Sequence, residues 1–225
     1  HMFDTESDPE TNLLGNWDFG DGSGSTIIDD SGNGHNGTIN GTATWTDTGP
    51  TLTDQAASSH GALSLDGTDG YVDLGTPASL DMTGTGMTVE AWVQAGDPDG
   101  TVQSIVANYT YISGIGKGYS LVLGADNKFS FGVASTGGNS QGVGDATVTA
   151  GQWYHVAGVY DGNETALYID GVKQTTAGVP ATTGQPIDDP AAAHFIGAGH
   201  QAESSTIASN FFTGQIADLR IWDNA

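Results

Sequence analysis

The chain has 225 residues, with 35 glycines and no cysteine, a size at which one β-sandwich domain can bury a core without disulfides. Four Lys and Arg residues stand against 27 Asp and Glu, which gives a formal net charge of −23 at pH 7. This charge disfavours binding to nucleic acids and to anionic surfaces, which carry the same sign. The sequence also excludes thiol catalysis and cysteine metal sites, and it has no apolar run long enough for membrane insertion.

The first eleven residues carry no sign of a folded element. His1-Met2 has the form of a cloning scar, and residues 3–11 are polar and acidic, as is typical of a linker. We therefore expect residues 1–11 to be a scar and an acidic linker, and residues 12–225 to form one domain. Such a domain fits a monomeric module of a longer chain.

Short runs with strand character recur along residues 12–225, and no segment has the period of a helix. Clusters of Gly, Asp, Asn and Ser separate these runs. The pattern predicts an all-β antiparallel sandwich or jelly roll. The predicted strands are 13–19, 63–65, 71–74, 87–93, 104–107, 119–123, 128–133, 152–160, 166–170, 194–197 and 211–222.

The region from residue 150 to residue 174 contains the clearest of these runs. Asp161-Gly162-Asn163 and Asp170-Gly171 separate three of them. An Asp-Gly pair between such runs is a strong hairpin signal, because the tight turn needs positive φ angles. We therefore expect a three-stranded meander in this region.

The tryptophans are expected to be structural for the most part. Trp92, Trp153 and Trp222 lie in apolar strand patterns, so we expect them in the core. His155 shares the face of Trp153, because side chains two residues apart in a strand point the same way. It is therefore expected to be a buried histidine with satisfied hydrogen bonds. Trp45 lies in a Thr-rich loop and is the tryptophan for which we expect exposure.

The sequence Asp-Asp-Ser-Gly-Asn-Gly-His that begins at Asp29 has the composition of a calcium loop. Oxygen-bearing side chains at Asp29, Ser31 and Asn33 occupy alternate positions, as in the first half of an EF-hand. Asp30 is an equally good carboxylate, and the carbonyl oxygen of His35 can supply the next ligand. The flanking helices and closing Glu of an EF-hand are missing, and the alternative is a turn stabilised by its own side chains.

Six motifs follow one another in an order that resembles a known family. They are the opening strand 13–19 and the segments 29–38, 61–74, 79–94, 150–174 and 214–223. The chain resembles the LamG-like jelly-roll family of concanavalin A-like lectin domains. This resemblance implies a two-sheet antiparallel jelly-roll sandwich whose first and last strands pair. It also implies a structural Ca²⁺ in the loop that begins at Asp29, completed by an acidic residue of the last strand, here Asp218.

Three polar stretches, residues 96–118, 176–193 and 199–210, are expected to be long loops, and loops on a rigid scaffold often carry binding residues. Tyrosine rings beside planar polar side chains are suited to neutral sugars. The alternative is that Tyr109 and Tyr111 only cover the edge of the sandwich. The candidate carbohydrate-binding residues are Asn108, Tyr109, Tyr111, Asn139, Gln141, His200, Gln201 and Glu203.

The sequence offers little for catalysis. A retaining glycosidase needs two close carboxylates, and no predicted strand carries a pair of alternating acids. We therefore expect a non-catalytic, calcium-stabilised, lectin-like module that binds a neutral glycan and mediates adhesion. Its expected location is extracellular or on a cell surface, for example within a bacterial adhesin. The alternative is a structural or protein-binding spacer domain with no sugar site.

Overall fold

The computed structural model of the chain describes residues 12–50, 61–112, 115–135, 138–175, 186–188, 191–201 and 208–225. The predicted scar and linker, residues 1–11, lie outside this part. The described residues contain one 3₁₀ turn, Ala78–Leu80, and 18 strands. The strands are β1 (Leu13–Trp17), β2 (Thr26–Ile27), β3 (Gly37–Asn40), β4 (Thr44–Thr46), β5 (Ala62–Asp66), β6 (Tyr71–Asp73), β7 (Met87–Ala95), β8 (Gln103–Ile112), β9 (Ile115–Leu123), β10 (Phe129–Ser135), β11 (Gly138–Val143), β12 (Trp153–Tyr160), β13 (Thr165–Ile169), β14 (Val172–Lys173), β15 (Phe195–Ile196), β16 (Gly199–His200), β17 (Ala208–Ser209) and β18 (Thr213–Trp222).

Two eight-stranded antiparallel sheets make up most of the described structure. Sheet 1 has the order β14-β13-β12-β7-β18-β5-β4, and β1 also pairs with β18. Sheet 2 has the order β11-β10-β9-β8-β15-β6-β3-β2, while β16 and β17 pair separately. The predicted two-sheet antiparallel sandwich and the pairing of its first and last strands are confirmed. No helix in the described part of the chain is long and apolar enough to cross a membrane.

The core lies between the two sheets, where alternate residues of each strand are buried. Along β7 the inward residues Met87, Val89, Ala91, Val93 and Ala95 are fully buried. The sheets approach closely where Gly158 of sheet 1 faces Phe131 of sheet 2. A Cβ atom at Gly158 would lie 2.1 Å from Cγ of that ring, so the missing side chain makes room for Phe131.

The meander predicted between residues 150 and 174 is confirmed. β12 pairs with β13, and β13 pairs with β14 across Asp170 and Gly171. These two turn residues have φ angles of 50° and 76°, the positive values that a type I′ turn requires. The Asp-Gly pair therefore fixes the register of the last hairpin.

The prediction that Trp92, Trp153 and Trp222 belong to the core is wrong. All three lie on the outer face of sheet 1 and are partly exposed. His155 shares this outer face, so its predicted inward orientation is wrong as well. Both alternating faces of β12 are apolar, because Val156 and Tyr160 occupy the opposite face and are the buried ones. Alternation therefore identified the strand without telling which face points inward.

Candidate functional site

The outer face of sheet 2 carries a groove of about 870 Å³. Strands β8 to β11 form its floor, and the short hairpin of β16 and β17 forms a wall beside β8. The backbone N–H of Ser104 donates to the carbonyl oxygen of Asn210 at 2.8 Å, which joins the wall to β8. The stretch 96–118 was predicted to be a loop, but it contains β8 and the start of β9. The tyrosines predicted on this loop therefore lie on a rigid strand.

Small residues form most of the floor. Two rows of neighbours cross the four strands from β8 to β11, and their members are Ala107, Ser120, Gly132 and Gln141 in one row and Tyr109, Gly118, Ala134 and Asn139 in the other. Large side chains occur only at the ends of these rows. The middle of the sheet is thereby left low enough for a ligand to approach the backbone.

Tyr109 lies across this floor. A Cβ atom at Gly116 would be 2.4 Å from the hydroxyl oxygen of Tyr109, so the ring occupies the space that a side chain there would fill. The hydroxyl also forms a hydrogen bond with Asn139 of β11. Burial raises the pKa of Tyr109, and the bond to Asn139 offsets only part of this rise. Tyr109 is therefore a half-buried, anchored ring, whereas Tyr111 is 50% exposed.

His200 gives the wall its rigidity. Its imidazole stacks on Phe195 with ring centroids 4.7 Å apart and planes inclined by 25°. The residue is only 9% exposed, and neither ring nitrogen makes a hydrogen bond within the described structure. Burial lowers the pKa of His200, and nearby backbone groups of Ala193 and Tyr109 oppose this only in part. The side chain is therefore a neutral group at the edge of the groove.

Asn108 does not belong to this groove, which corrects its prediction as a sugar-binding residue. It points away from the groove face and is 1% exposed. Its Nδ2 donates to the carbonyl oxygen of Ala192 at 2.9 Å and lies 3.1 Å from Nδ1 of His194. Nε2 of His194 in turn lies 3.0 Å from the carbonyl oxygen of Leu80. Asn108 is therefore part of a buried polar cluster beneath the floor.

The other predicted sugar-binding residues fall into two groups. Five of them line the groove, namely Tyr109, Tyr111, Gln141, His200 and Gln201. Asn139 contacts the groove through Tyr109, and Glu203 lies outside the described residues. Asn139 and Gln141 were expected on loops, but both lie on β11.

Further groove residues were not singled out from the sequence, namely Ser120, Asp126, Ser130 and Ser209. A signal for the floor existed in the segment from Phe129 to Ser135. There the buried residues Phe129, Phe131 and Val133 alternate with Ser130 and Gly132. Bulky inward residues that alternate with small outward ones predict a sheet face with a depression.

The predicted calcium loop is tied to β1 by hydrogen bonds. Asp29 accepts from the backbone N–H groups of Asn16 at 3.0 Å and of His35 at 2.8 Å, and from that of Ser31 at 3.0 Å. Burial opposes the ionisation of Asp29, but these bonds outweigh it and lower its pKa. Asn33 donates from Nδ2 to the carbonyl oxygen of Leu13 at 2.9 Å. Most of the loop's polar groups are thus already used, as in the alternative of a turn held by its own side chains.

The carbonyl oxygen of His35, predicted as a metal ligand, accepts from Nε1 of Trp17 at 2.9 Å. The imidazole of His35 is held from both sides. Its Nδ1 lies 2.8 Å from the carbonyl oxygen of Leu14, and its Nε2 lies 2.6 Å from the hydroxyl of Ser79. His35 therefore anchors the loop to β1 and to the 3₁₀ turn.

Two predicted acidic ligands have different surroundings. Asp30 is exposed, and its pKa is raised by partial burial and then by the negative charges of Asp18, Asp21 and Asp29. Asp218 lies at a bulge of β18 with a φ angle of 45°, and its Oδ1 is 3.1 Å from Nε of Arg220. Within the described residues, no three His, Cys, Asp or Glu side chains are arranged as a metal site. The fit to a cation is therefore better on the Asp30 side of the loop than at Asp218.

The chain matches the family model described as the concanavalin A-like lectin/glucanases superfamily over residues 66–225. It therefore belongs to this superfamily. No curated protein sequence matches it significantly.

Several solved structures share the fold at low sequence identity. Domain 4 of AbnA, an extracellular arabinanase from Geobacillus stearothermophilus in complex with arabinotriose, is 21% identical with a TM-score of 0.62, and the match covers 95% of this chain and 93% of that domain. The binding domain of botulinum neurotoxin serotype G is 12% identical with a TM-score of 0.61 and coverages of 95% and 48%. Trypanosoma rangeli sialidase in complex with sialic acid is 12% identical with a TM-score of 0.58 and coverages of 96% and 31%. The chain thus spans less than half of the toxin domain and about a third of the sialidase.

Proposed function

We propose that this domain is a non-catalytic carbohydrate-binding module that takes a neutral glycan in the groove of sheet 2. The observation that carries the proposal is the anchored ring of Tyr109 on a floor of small residues, beside the amide of Gln141. An aromatic face packs against the C–H face of a sugar, while planar polar groups bond to its hydroxyls. The similar domain 4 of AbnA, whose structure is a complex with arabinotriose, supports this proposal.

The absence of catalysis is part of the proposal. Glycoside hydrolysis in most families needs two carboxyl groups on either side of the scissile bond. Among the described residues that line the groove, Asp126 is the only acid. A groove with one carboxylate fits binding without cleavage, and we expect no release of reducing ends from any glycan that binds.

Calcium stabilisation remains a proposal as well. The negative charges of Asp18, Asp21 and Asp29 disfavour the ionised form of Asp30, and a divalent cation beside Asp30 would relieve this repulsion. We expect millimolar Ca²⁺ to raise the melting temperature relative to EDTA, with about 2.7 kcal/mol gained at a Ca²⁺ concentration of 100 times Kd. Asp30→Asn should reduce this gain, whereas Asp97→Asn at a distant exposed acid should not. An identical melting temperature in Ca²⁺ and EDTA would refute the proposal.

Adhesion and an extracellular location complete the proposed role. The acidic, cysteine-free composition and the extracellular arabinanase among the similar structures support a module of a secreted or surface protein such as a bacterial adhesin. Binding of labelled domain to intact cells, reversed by the free glycan, tests the adhesive role.

A second candidate function is that of a structural or protein-binding spacer. The partly exposed Trp92, Trp153 and Trp222 on sheet 1 favour it, because aromatic side chains are enriched at protein interfaces. A glycan array with and without Ca²⁺ separates the two functions. Binding that is lost in Tyr109→Ala but kept in Trp153→Ala supports the module, and no binding to any glycan supports the spacer.

A further inference from the structure

The floor of the groove is long as well as low. Along β9 the groove is lined by Val122 and Ser120, and the same face continues through Gly118 to Gly116, where the ring of Tyr109 covers it. A strand rises by about 3.3 Å per residue, so these six steps span about 20 Å. The depression therefore has room for several sugar rings in a line along the strands.

Hydrogen-bonding groups stand on both long sides of this depression. The wall presents Ser209 and Asn210 on one side. On the other side Gln141 donates from Nε2 to the hydroxyl of Ser130 at 2.6 Å, which fixes the plane of its amide. A sugar ring that lies flat carries its hydroxyls around its edge. The hydroxyls on its two opposite sides would therefore each face a polar side chain.

The two ends of the groove are apolar and exposed. Val102 lines one end and is 43% exposed, and Tyr111 lines the other and is 50% exposed. The two residues are nine positions apart on the same edge of the floor. Among the described residues, only four large hydrophobic side chains are exposed, so the placement of two of them here indicates a ligand that reaches both ends.

The charge of the groove restricts the ligand further. Asp126 lines it, and no Lys or Arg is among the described lining residues. The whole chain carries a net charge of −23. A glycan with carboxylates would therefore meet repulsion without a compensating cation.

We infer that the groove binds an extended neutral glycan chain lengthwise along β8 to β11, with successive rings lying flat on the floor. The ligand is thus an internal stretch of a chain and not a terminal sugar held in a pocket. This inference rests on the proposed glycan-binding function and adds the form of the ligand. It makes Gly132, at the centre of the floor, a residue that determines specificity.

The first test measures affinity against chain length by titration calorimetry. The probes are gluco-, xylo- and arabino-oligosaccharides of one to six rings, with oligogalacturonides of equal length as the acidic series. We expect at least a tenfold rise in affinity from two to four rings in a neutral series, then a plateau when the groove is full. We expect no measurable binding of the acidic series.

The second test raises the floor without disturbing the fold. A Cβ atom at Gly132 would lie 3.4 Å from the carbonyl oxygen of Ser140 and 3.9 Å from Cγ of Gln141, both ordinary contacts. Gly132→Ala and Gly132→Val should therefore fold with a melting temperature no lower than that of the unmodified domain, because a glycine weakens the interior of a strand. We expect a several-fold loss of chain affinity for the first variant and at least a tenfold loss for the second. Gly84→Ala, where a Cβ meets nothing closer than 3.9 Å, lies outside the groove and is the matched control.

The outcomes distinguish a failure of the extended-chain inference from a failure of the proposed glycan-binding function. A single sugar that binds as tightly as a hexamer, or an acidic chain that binds as tightly as a neutral one, overturns the inference while leaving glycan binding intact. Unchanged chain affinity in a folded Gly132→Val protein overturns it as well. If no glycan of any length binds the unmodified domain, the proposed function itself fails.

Discussion

The outer faces of the two sheets differ in the way they use their aromatic residues. Sheet 1 displays Trp92, Trp153 and Trp222, partly exposed, on its outer face. Sheet 2 has fewer aromatic residues around its groove, but Tyr109 lies on a floor from which other side chains are missing. The groove on sheet 2 therefore depends on the small neighbours of an aromatic ring and not on the number of rings.

The polar contacts on sheet 1 also differ from those beneath sheet 2. On sheet 1, Glu90 lies 3.4 Å from His155 and 4.0 Å from Arg220, and Arg220 also contacts Asp218. Beneath sheet 2, His194 forms hydrogen bonds with the neutral groups of Asn108 and Leu80, and its Nε2 lies 4.0 Å from Oδ1 of Asp81. Charged pairs at a partly exposed face respond to salt, whereas a buried neutral cluster responds to protonation. This contrast leads to the following predictions.

The largest expected effect is the loss of stability when His194 is forced to ionise. Burial lowers its pKa from 6.5 to about 4, so above pH 6.5 both the folded and the unfolded chain are neutral at this residue. Between pH 6.5 and 4 only the unfolded chain binds the proton, and the free energy of unfolding should fall by about 3 kcal/mol as the pH decreases. Urea unfolding at a series of pH values measures this slope.

Two variants isolate the contribution of His194 from that of other groups. Gln at this position can donate to the carbonyl oxygen of Leu80 and accept from Asn108, but it cannot take up a proton. His194→Gln should therefore flatten the slope between pH 6.5 and 4, whereas Val172→Gln at an exposed position of sheet 1 should leave it unchanged. Equal slopes in all three proteins would show that the neutral cluster does not control acid stability.

The next effect compares one aromatic residue from each outer face. Trp92→Ala removes a ring that packs edge-on against His155 at 5.4 Å, and we expect a loss of about 2 kcal/mol in stability with glycan affinity unchanged. Tyr109→Ala should cost less than about 1 kcal/mol in stability but at least tenfold in glycan affinity. Thermal unfolding and calorimetric titration of both variants measure the two quantities. The comparison of faces fails if Trp92→Ala weakens glycan binding as much as Tyr109→Ala does.

Much of the fold was predictable because its signals are local. Asp170-Gly171 specifies its turn through backbone conformation alone, and the alternation in β7 specifies a strand with one buried face. The orientation of β12 was not predictable, because Trp153 and Val156 make both of its faces apolar. Which face is buried depends on the opposite sheet, where Phe131 fits only against a glycine such as Gly158.

The sequence predicted the types of residue that line the groove, but it did not predict how they are brought together. Tyr109 and Gln141 were recognised by their chemistry, but their proximity comes from cross-strand pairing of β8 with β11 through two other strands. Asn108 was misassigned because neighbouring residues of a strand point to opposite faces, and the segment was taken for a loop. The calcium residues remain a prediction, because hydrogen bonds within the protein already occupy Asp29.

A smaller effect is expected from the only arginine of the chain. Arg220→Met would leave Glu90 and Asp218, with side chains 13% and 8% exposed, without this cation. We expect a loss of about 1–2 kcal/mol, because one partner of a largely buried ion pair is removed while partial exposure moderates the cost. Arg220→Lys should recover part of the loss, since it restores the charge but not the planar group. Urea midpoints at low salt measure both variants, and an unchanged midpoint in Arg220→Met would show that the ion pairs on sheet 1 do not stabilise it.

The smallest effect tests whether the indole N–H of Trp92, on the outer face of sheet 1, contributes to stability. Nε1 of Trp92 is buried and has no hydrogen-bond partner in the described structure. Trp92→Phe removes this donor and keeps an aromatic ring against His155, so the gain from losing an unsatisfied group should nearly balance the loss of packing. We expect the free energy of unfolding, measured by urea titration, to change by less than about 0.5 kcal/mol. A loss as large as that of Trp92→Ala would contradict this expectation and would show that the stability of this face depends on the whole indole group.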